Sequence, residues 1–70
     1  MVDRKYIRKR LNYTRNALQA HAETIVELAK EYLILAENNN EYARIADALF
    51  IVAETLDVAK NLIDKVLETI

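Results

Sequence analysis

Apolar residues recur along this chain in alternating steps of four and three. One series runs Ile7, Leu11, Thr14, Leu18, His21, Ile25, Leu28, Tyr32 and Leu35; a second runs Tyr42, Ile45, Leu49, Val52, Leu56, Ala59, Ile63, Val66 and Ile70. A repeat averaging 3.5 residues is the seam of a left-handed coiled coil, which keeps one stripe of a helix facing a partner helix. The stripe opposite each seam is polar: Lys9, Asn16, Glu23, Lys30 and Glu37, then Asp47, Glu54, Asn61 and Glu68. Between the two series lies the one credible helix break, Asn38-Asn39-Asn40. Asn tolerates the left-handed conformation that ends many helices, and its side-chain oxygen is among the best helix N-caps. Glu41 follows in the next first turn, where the helix dipole favours a negative charge. Asp3 is the matching cap candidate at the start. The pattern predicts an all-α fold: an antiparallel two-helix hairpin, with helices over about 3–37 and 41–69, forming a single domain across 1–70.

Folding at Asn38–Asn39 brings together positions whose numbers sum to 77. Ile7 then meets Ile70, Thr14 meets Ile63, His21 meets Leu56, Leu28 meets Leu49 and Leu35 meets Tyr42. The residues beside the seam are apolar as well. Ala22, Val26, Ala29, Leu33 and Ala36 form a second stripe on the first helix. Ala43, Ala46, Phe50 and Ala53 flank one side of the second seam, and Ala48, Ile51, Val58 and Leu62 the other. Two helices cannot cover all of these. An apolar patch of more than a few hundred Å² on a soluble monomer marks an interaction surface. The expected partner is the chain itself, in a homo-oligomer of three or more chains rather than two. Phe50 and Leu33 are expected on a dry face.

Composition strengthens this picture. The 70 residues include no Gly, no Pro and no Cys, where average usage would give roughly eight Gly and Pro together. Helix breakers are missing, and so are disulfides. A chain of this size rarely stabilises itself through one core by more than about 3–5 kcal/mol, so oligomerisation is the remaining staple. The longest unbroken apolar run, Ala48 to Ala53, is far short of the roughly 20 residues that span a bilayer. The charged N-terminal stretch has no apolar segment after it, unlike a signal peptide. A soluble, cytoplasmic chain with no membrane partner is the expectation.

Charge is divided along the chain. Residues 1–22 hold Arg4, Lys5, Arg8, Lys9, Arg10 and Arg15 against Asp3, while residues 23–70 are strongly acidic, for a net charge of −1. The hairpin places Asp57, Asp64 and Glu68 beside the basic end, which reads as complementarity within the bundle. A polyanion-binding patch with Tyr6 and Tyr13 as stacking residues is the sharper alternative.

Nothing in the sequence forms an active site, and no catalytic, metal or cofactor-binding residue is expected. There is no Ser or Cys to serve as a nucleophile. His21 has no Glu or second His three or four residues away, so the usual helical metal pair is missing. A site built from His21 of several subunits is the remaining metal option. Thr14, His21, Tyr32 and Tyr42 interrupt the seams with polar groups. In coiled coils such groups are used to fix register and oligomer state. Asn12-Tyr13-Thr14 matches a glycosylation sequon by chance, in mid-helix.

The near-continuous heptads, the single turn and the isolated polar residues within apolar seams resemble those of de novo designed helical hairpins. That resemblance covers the whole chain as a pattern, with no specific motif. It implies homo-oligomeric assembly, in some cases with hydrogen-bond networks crossing between subunits. The chain departs from idealised designs in its Asn-Asn-Asn turn and its 53% hydrophobic content. In outline it is also similar to small plasmid-copy-control RNA-binding four-helix bundles, though no motif matches residue by residue. Two functions follow as expectations. The first is a structural self-assembling bundle subunit, not an enzyme. The alternative is a small regulatory hairpin that binds RNA or another polyanion through its basic end.

Overall fold

The computed structural model describes residues 3–70. Helix α1 spans Arg4–Leu35, a single 3₁₀ turn spans Ala36–Asn38, and helix α2 spans Asn40–Thr69. The two helices pack antiparallel into a rod 57 Å long and 16 by 14 Å across. The all-α hairpin expected from the periodicity is present, with boundaries within two residues of those expected.

Both helix starts follow their local chemistry. Asp3 is extended and its carboxylate accepts from the backbone N–H of Lys5 at 3.0 Å. Asn39 is extended, with φ −157° and ψ 109°, and its side-chain oxygen accepts from the N–H of Glu41 at 2.9 Å. Each cap satisfies one of the orphan donors of a first turn. The end of α1 departs from the expectation. No described residue has positive φ, so the Asn run does not stop α1 through a left-handed residue. The last turn instead tightens into 3₁₀ geometry, and the Ala36 N–H is shared among the carbonyls of Tyr32, Leu33 and Ile34. Tightening satisfies the terminal carbonyls without a left-handed residue. The decisive asparagine is therefore Asn39, acting as the cap of α2.

The expected pairings are not all met: Tyr42 packs on Tyr32 and not on Leu35, which is exposed. Among the described residues one ion pair and one ring pair cross between the helices. Arg15 Nε donates to Asp64 Oδ1 at 2.7 Å, and the Tyr32 and Tyr42 rings lie 5.8 Å apart at a tilt of 50°. Their residue numbers sum to 79 and 74, on either side of 77. The tyrosine pair closes the hairpin near its turn; tilted ring pairs of this kind contribute about 0.5–1.5 kcal/mol beyond their burial. The ion pair is a third exposed on each side, and such pairs contribute about 0–1 kcal/mol.

The facing stripe differs from the expected one. Leu11, Leu18, Ile25 and Tyr32 face α2, as the first series requires. Their companions are Arg15, Ala22, Ala29 and Ala36, not Thr14, His21, Leu28 and Leu35. On α2, Tyr42, Leu49, Leu56 and Ile63 keep their places and Ala46, Ala53, Lys60 and Leu67 join them; Val52 and Val66 are exposed, and Ile45 and Ala59 stay half-buried at the edge. Each replaced position moves by one residue, so each helix is turned about its axis by about 50° from the expected orientation. Ala29 and Ala46 are wholly buried, while Thr14, His21, Leu28, Leu35, Val52 and Val66 are exposed. Small residues explain the choice. Two helices alone gain most dispersion where their backbones approach closely, and alanine permits that approach. Ala22, Ala29, Ala46 and Ala53 are the buried residues of the seam, between half-buried Leu18, Ile25, Leu49 and Leu56.

Candidate association surface

Turning both helices the same way divides the hairpin into two unlike sides. One side carries Gln19, Glu23, Val26 and Lys30 of α1 beside Phe50, Glu54 and Asp57 of α2. It holds an open groove of about 470 Å³, rimmed by Gln19, Glu23, Lys30, Asp57 and Lys60. A groove this open and this ringed by charge lacks the enclosed apolar lining of a small-molecule site. Phe50 is half-buried there and Leu33 is exposed.

The other side is nearly free of charge. From α1 it presents Thr14, Ala17, His21, Thr24, Leu28 and Leu35; from α2 it presents Ile45, Ala48, Val52, Thr55, Ala59, Leu62 and Val66. Leu28, Leu35, Val52, Leu62 and Val66 are between 41 and 55% exposed. Charge is confined to the rim, at Arg10, Glu31 and Glu41. The expected seam residues have therefore not lost their pattern. They form a second 3.5-residue seam, about a quarter-turn round from the first, and nothing among the described residues covers it.

The threonines distinguish this side further. Thr14, Thr24, Thr55 and Thr69, all four in the sequence, lie on it or its rim. Each hydroxyl donates to the carbonyl four residues back: Thr14 to Arg10, Thr24 to Ala20, Thr55 to Ile51 and Thr69 to Lys65, at 2.9–3.1 Å. A hydroxyl bonded within its own helix presents mainly its methyl group outward and can be buried without orphaning a donor. His21 is the polar residue of this side whose ring makes no hydrogen bond among the described residues.

Further apolar surface continues round the back of α2 at Ile51 and Val58, and Tyr6, Tyr13 and Ile34 stand out from the back of α1. At the basic end, Arg15 is held by Asp64, while Arg4, Lys5, Arg8, Lys9 and Arg10 are exposed. Among the described residues no three His, Cys, Asp or Glu side chains come together as a metal cluster, and no helix is long and apolar enough to cross a membrane. Comparison with family models, curated proteins and solved structures finds no match to this chain.

Proposed function

We propose that this protein is a structural subunit that self-associates into a helical bundle of three or more chains and carries no catalytic activity. One observation supports this reading above all. Among the described residues, the buried core consists of Ala22, Ala29, Ala46 and Ala53, and no large side chain is fully buried, while eleven large apolar residues are exposed. Four alanines cannot offset the conformational entropy of ordering nearly seventy residues, at about 1–2 kcal/mol each for the backbone alone. Full burial of one Leu, Ile or Val contributes about 1.5–3 kcal/mol, and most of that contribution is unused in the isolated hairpin.

More than one neighbour is needed to use it. Besides the stripe already packed on α1, the apolar arc of α2 runs from Ile45 and Val52 through Ala48 and Leu62 to Ile51 and Val58, over about a third of the helix circumference. A single flat partner covers the first part of that arc and leaves the last. The pattern-level resemblance to designed helical hairpins agrees with assembly and supplies no ligand.

The polyanion-binding alternative is less well supported, because Arg15 is drawn into the ion pair with Asp64 and the acidic end of α2 lies alongside the remaining basic residues. Retention on a heparin column separates the two readings. Elution at low salt agrees with a bundle subunit; retention that falls steeply with salt supports the polyanion reading.

A further inference from the structure

The uncharged side of the hairpin has a symmetry of its own. Its layers on α1, positions 7, 14, 21, 28 and 35, are centred on His21. Its layers on α2, positions 45, 52, 59 and 66, are centred between Thr55 and Leu56. The cross-helix pairs Arg15–Asp64 and Tyr32–Tyr42 set position 21 level with the stretch between positions 53 and 58, so both sets share a midpoint to within a turn. A rotation of 180° about an axis crossing the hairpin there superimposes layer on layer in both helices.

Deepening the self-association reading on which it rests, we propose that a second copy of this chain packs on this side, with α1 against α1 and α2 against α2, both antiparallel, about a two-fold axis beside His21. Thr14 then stands opposite Leu28 of the second copy, Val52 opposite Ala59, and Ile45 opposite Val66. The rim charges fit the same arrangement. Arg10 precedes His21 by eleven residues and Glu31 follows it by ten, so each Arg10 lies by a Glu31 of the other copy, twice in the pair. Neither makes an ion pair among the described residues of its own chain. The competing rotation, which lays α1 over α2 of the second copy, sets Glu31 near Glu41 and leaves Arg10 facing Leu62 and Thr69.

The area suffices. A side 57 Å by 16 Å projects on the order of 900 Å², against about 800 Å² per partner in a standard stable complex. The threonine hydroxyls are already bonded, which leaves His21 to be satisfied across the interface. The Thr24 oxygen of the second copy, one turn from the axis, can accept from its ring N–H. Ile51 and Val58 stay outside the pair and are free to join pairs into a larger, even-numbered assembly.

The chain has no cysteine, so a single introduced thiol reports one position. His21→Cys and Gln19→Cys variants of the full chain are first sized in solution, then treated with a short bismaleimide. An oligomer in which His21→Cys is linked and Gln19→Cys is not supports the proposal. An oligomer in which only Gln19→Cys is linked overturns it and leaves self-association standing; a monomeric parent overturns both. Arg10→Glu and Glu31→Arg then test the pairing of α1 without touching the centre. Each alone is expected to raise the dissociation constant about two- to thirtyfold, for two lost rim pairs. Mixed in equal amounts, the two variants regain parental affinity. The introduced carboxylate of one copy then faces the introduced guanidinium of the other, and the unaltered Glu31 and Arg10 face each other at the opposite end. A mixture no tighter than either variant overturns the antiparallel α1 pairing.

Discussion

Ala29 and Ala46 are the residues on which the hairpin turns, since both are wholly buried between the helices. A larger side chain at either point forces the backbones apart. Ala29→Leu is expected to destabilise by about 1–3 kcal/mol, the usual cost of overpacking a close contact. Denaturant unfolding at fixed protein concentration measures it. Leu28→Ala, one residue away, behaves differently. Leu28 is 41% exposed in the hairpin, so its truncation weakens association first. Its unfolding midpoint is expected to fall most at low protein concentration, because a midpoint coupled to assembly depends on protomer concentration. If both variants shift the midpoint equally at every concentration, the division of these neighbours between two interfaces is wrong. Asn39 is the third residue with a distinct role. Asn39→Ala removes the cap of α2 and is expected to cost about 0.5–2 kcal/mol, whereas Asn39→Asp retains an accepting oxygen and stays near the parent. Asn38→Gly brings no gain, because position 38 lies in a 3₁₀ turn with negative φ. A stabilised Asn38→Gly variant would contradict the geometry of this turn.

At the level of elements, the hairpin depends on one interruption of what is otherwise a single helical pattern. Replacing Asn38, Asn39 and Asn40 together by Ala removes the cap and adds three strong helix formers. The expected outcome is a continuous helix, seen as a changed solution mass and greater length in small-angle scattering. An unchanged mass and melting profile would show that packing alone enforces the bend. Much of this level was legible in the sequence. The 3.5-residue repeat, the polar outer stripe and the lack of Gly and Pro located both helices and the turn, and the cap roles of Asp3 and of the Asn38-Asn39-Asn40 run followed from residue type, without choosing Asn39 within the run. The facing stripe was not legible, for a specific reason. Leu11, Leu18, Ile25 and Tyr32 belong to two seams at once, one completed by Thr14, His21 and Leu28, the other by Arg15, Ala22 and Ala29. Both alternate by four and three, so periodicity cannot choose between them. Close approach at alanine, which spacing does not record, decided the packing within one chain. The spacing places His21 in the inner seam, and in the structure it is exposed outside it. The threonine hydrogen bonds that single out the second seam depend on rotamers, which no sequence pattern records.

On the scale of the whole molecule, two seams a quarter-turn apart on each helix are what a helix needs when it has neighbours on two sides. The inner seam closes the hairpin through alanines. The outer one, with Leu28, Leu35, Val52, Leu62 and Val66, is left exposed, and the arc at Ile51 and Val58 extends beyond it. Leu62→Glu places a charge on that outer surface at no cost to the hairpin seam. Burial of an unpaired charge typically costs several kcal/mol, so the variant is expected to dissociate and to lose helical structure as it does so. The central claim is that this chain is a subunit, and its most direct test is the absolute mass of the parent in solution by light scattering across micromolar concentrations. The expected result is an integral multiple of the 8.1 kDa chain mass, three or greater, and even if the two-fold pair is the building unit. A mass of 8.1 kDa throughout that range, with helical structure intact, would contradict it.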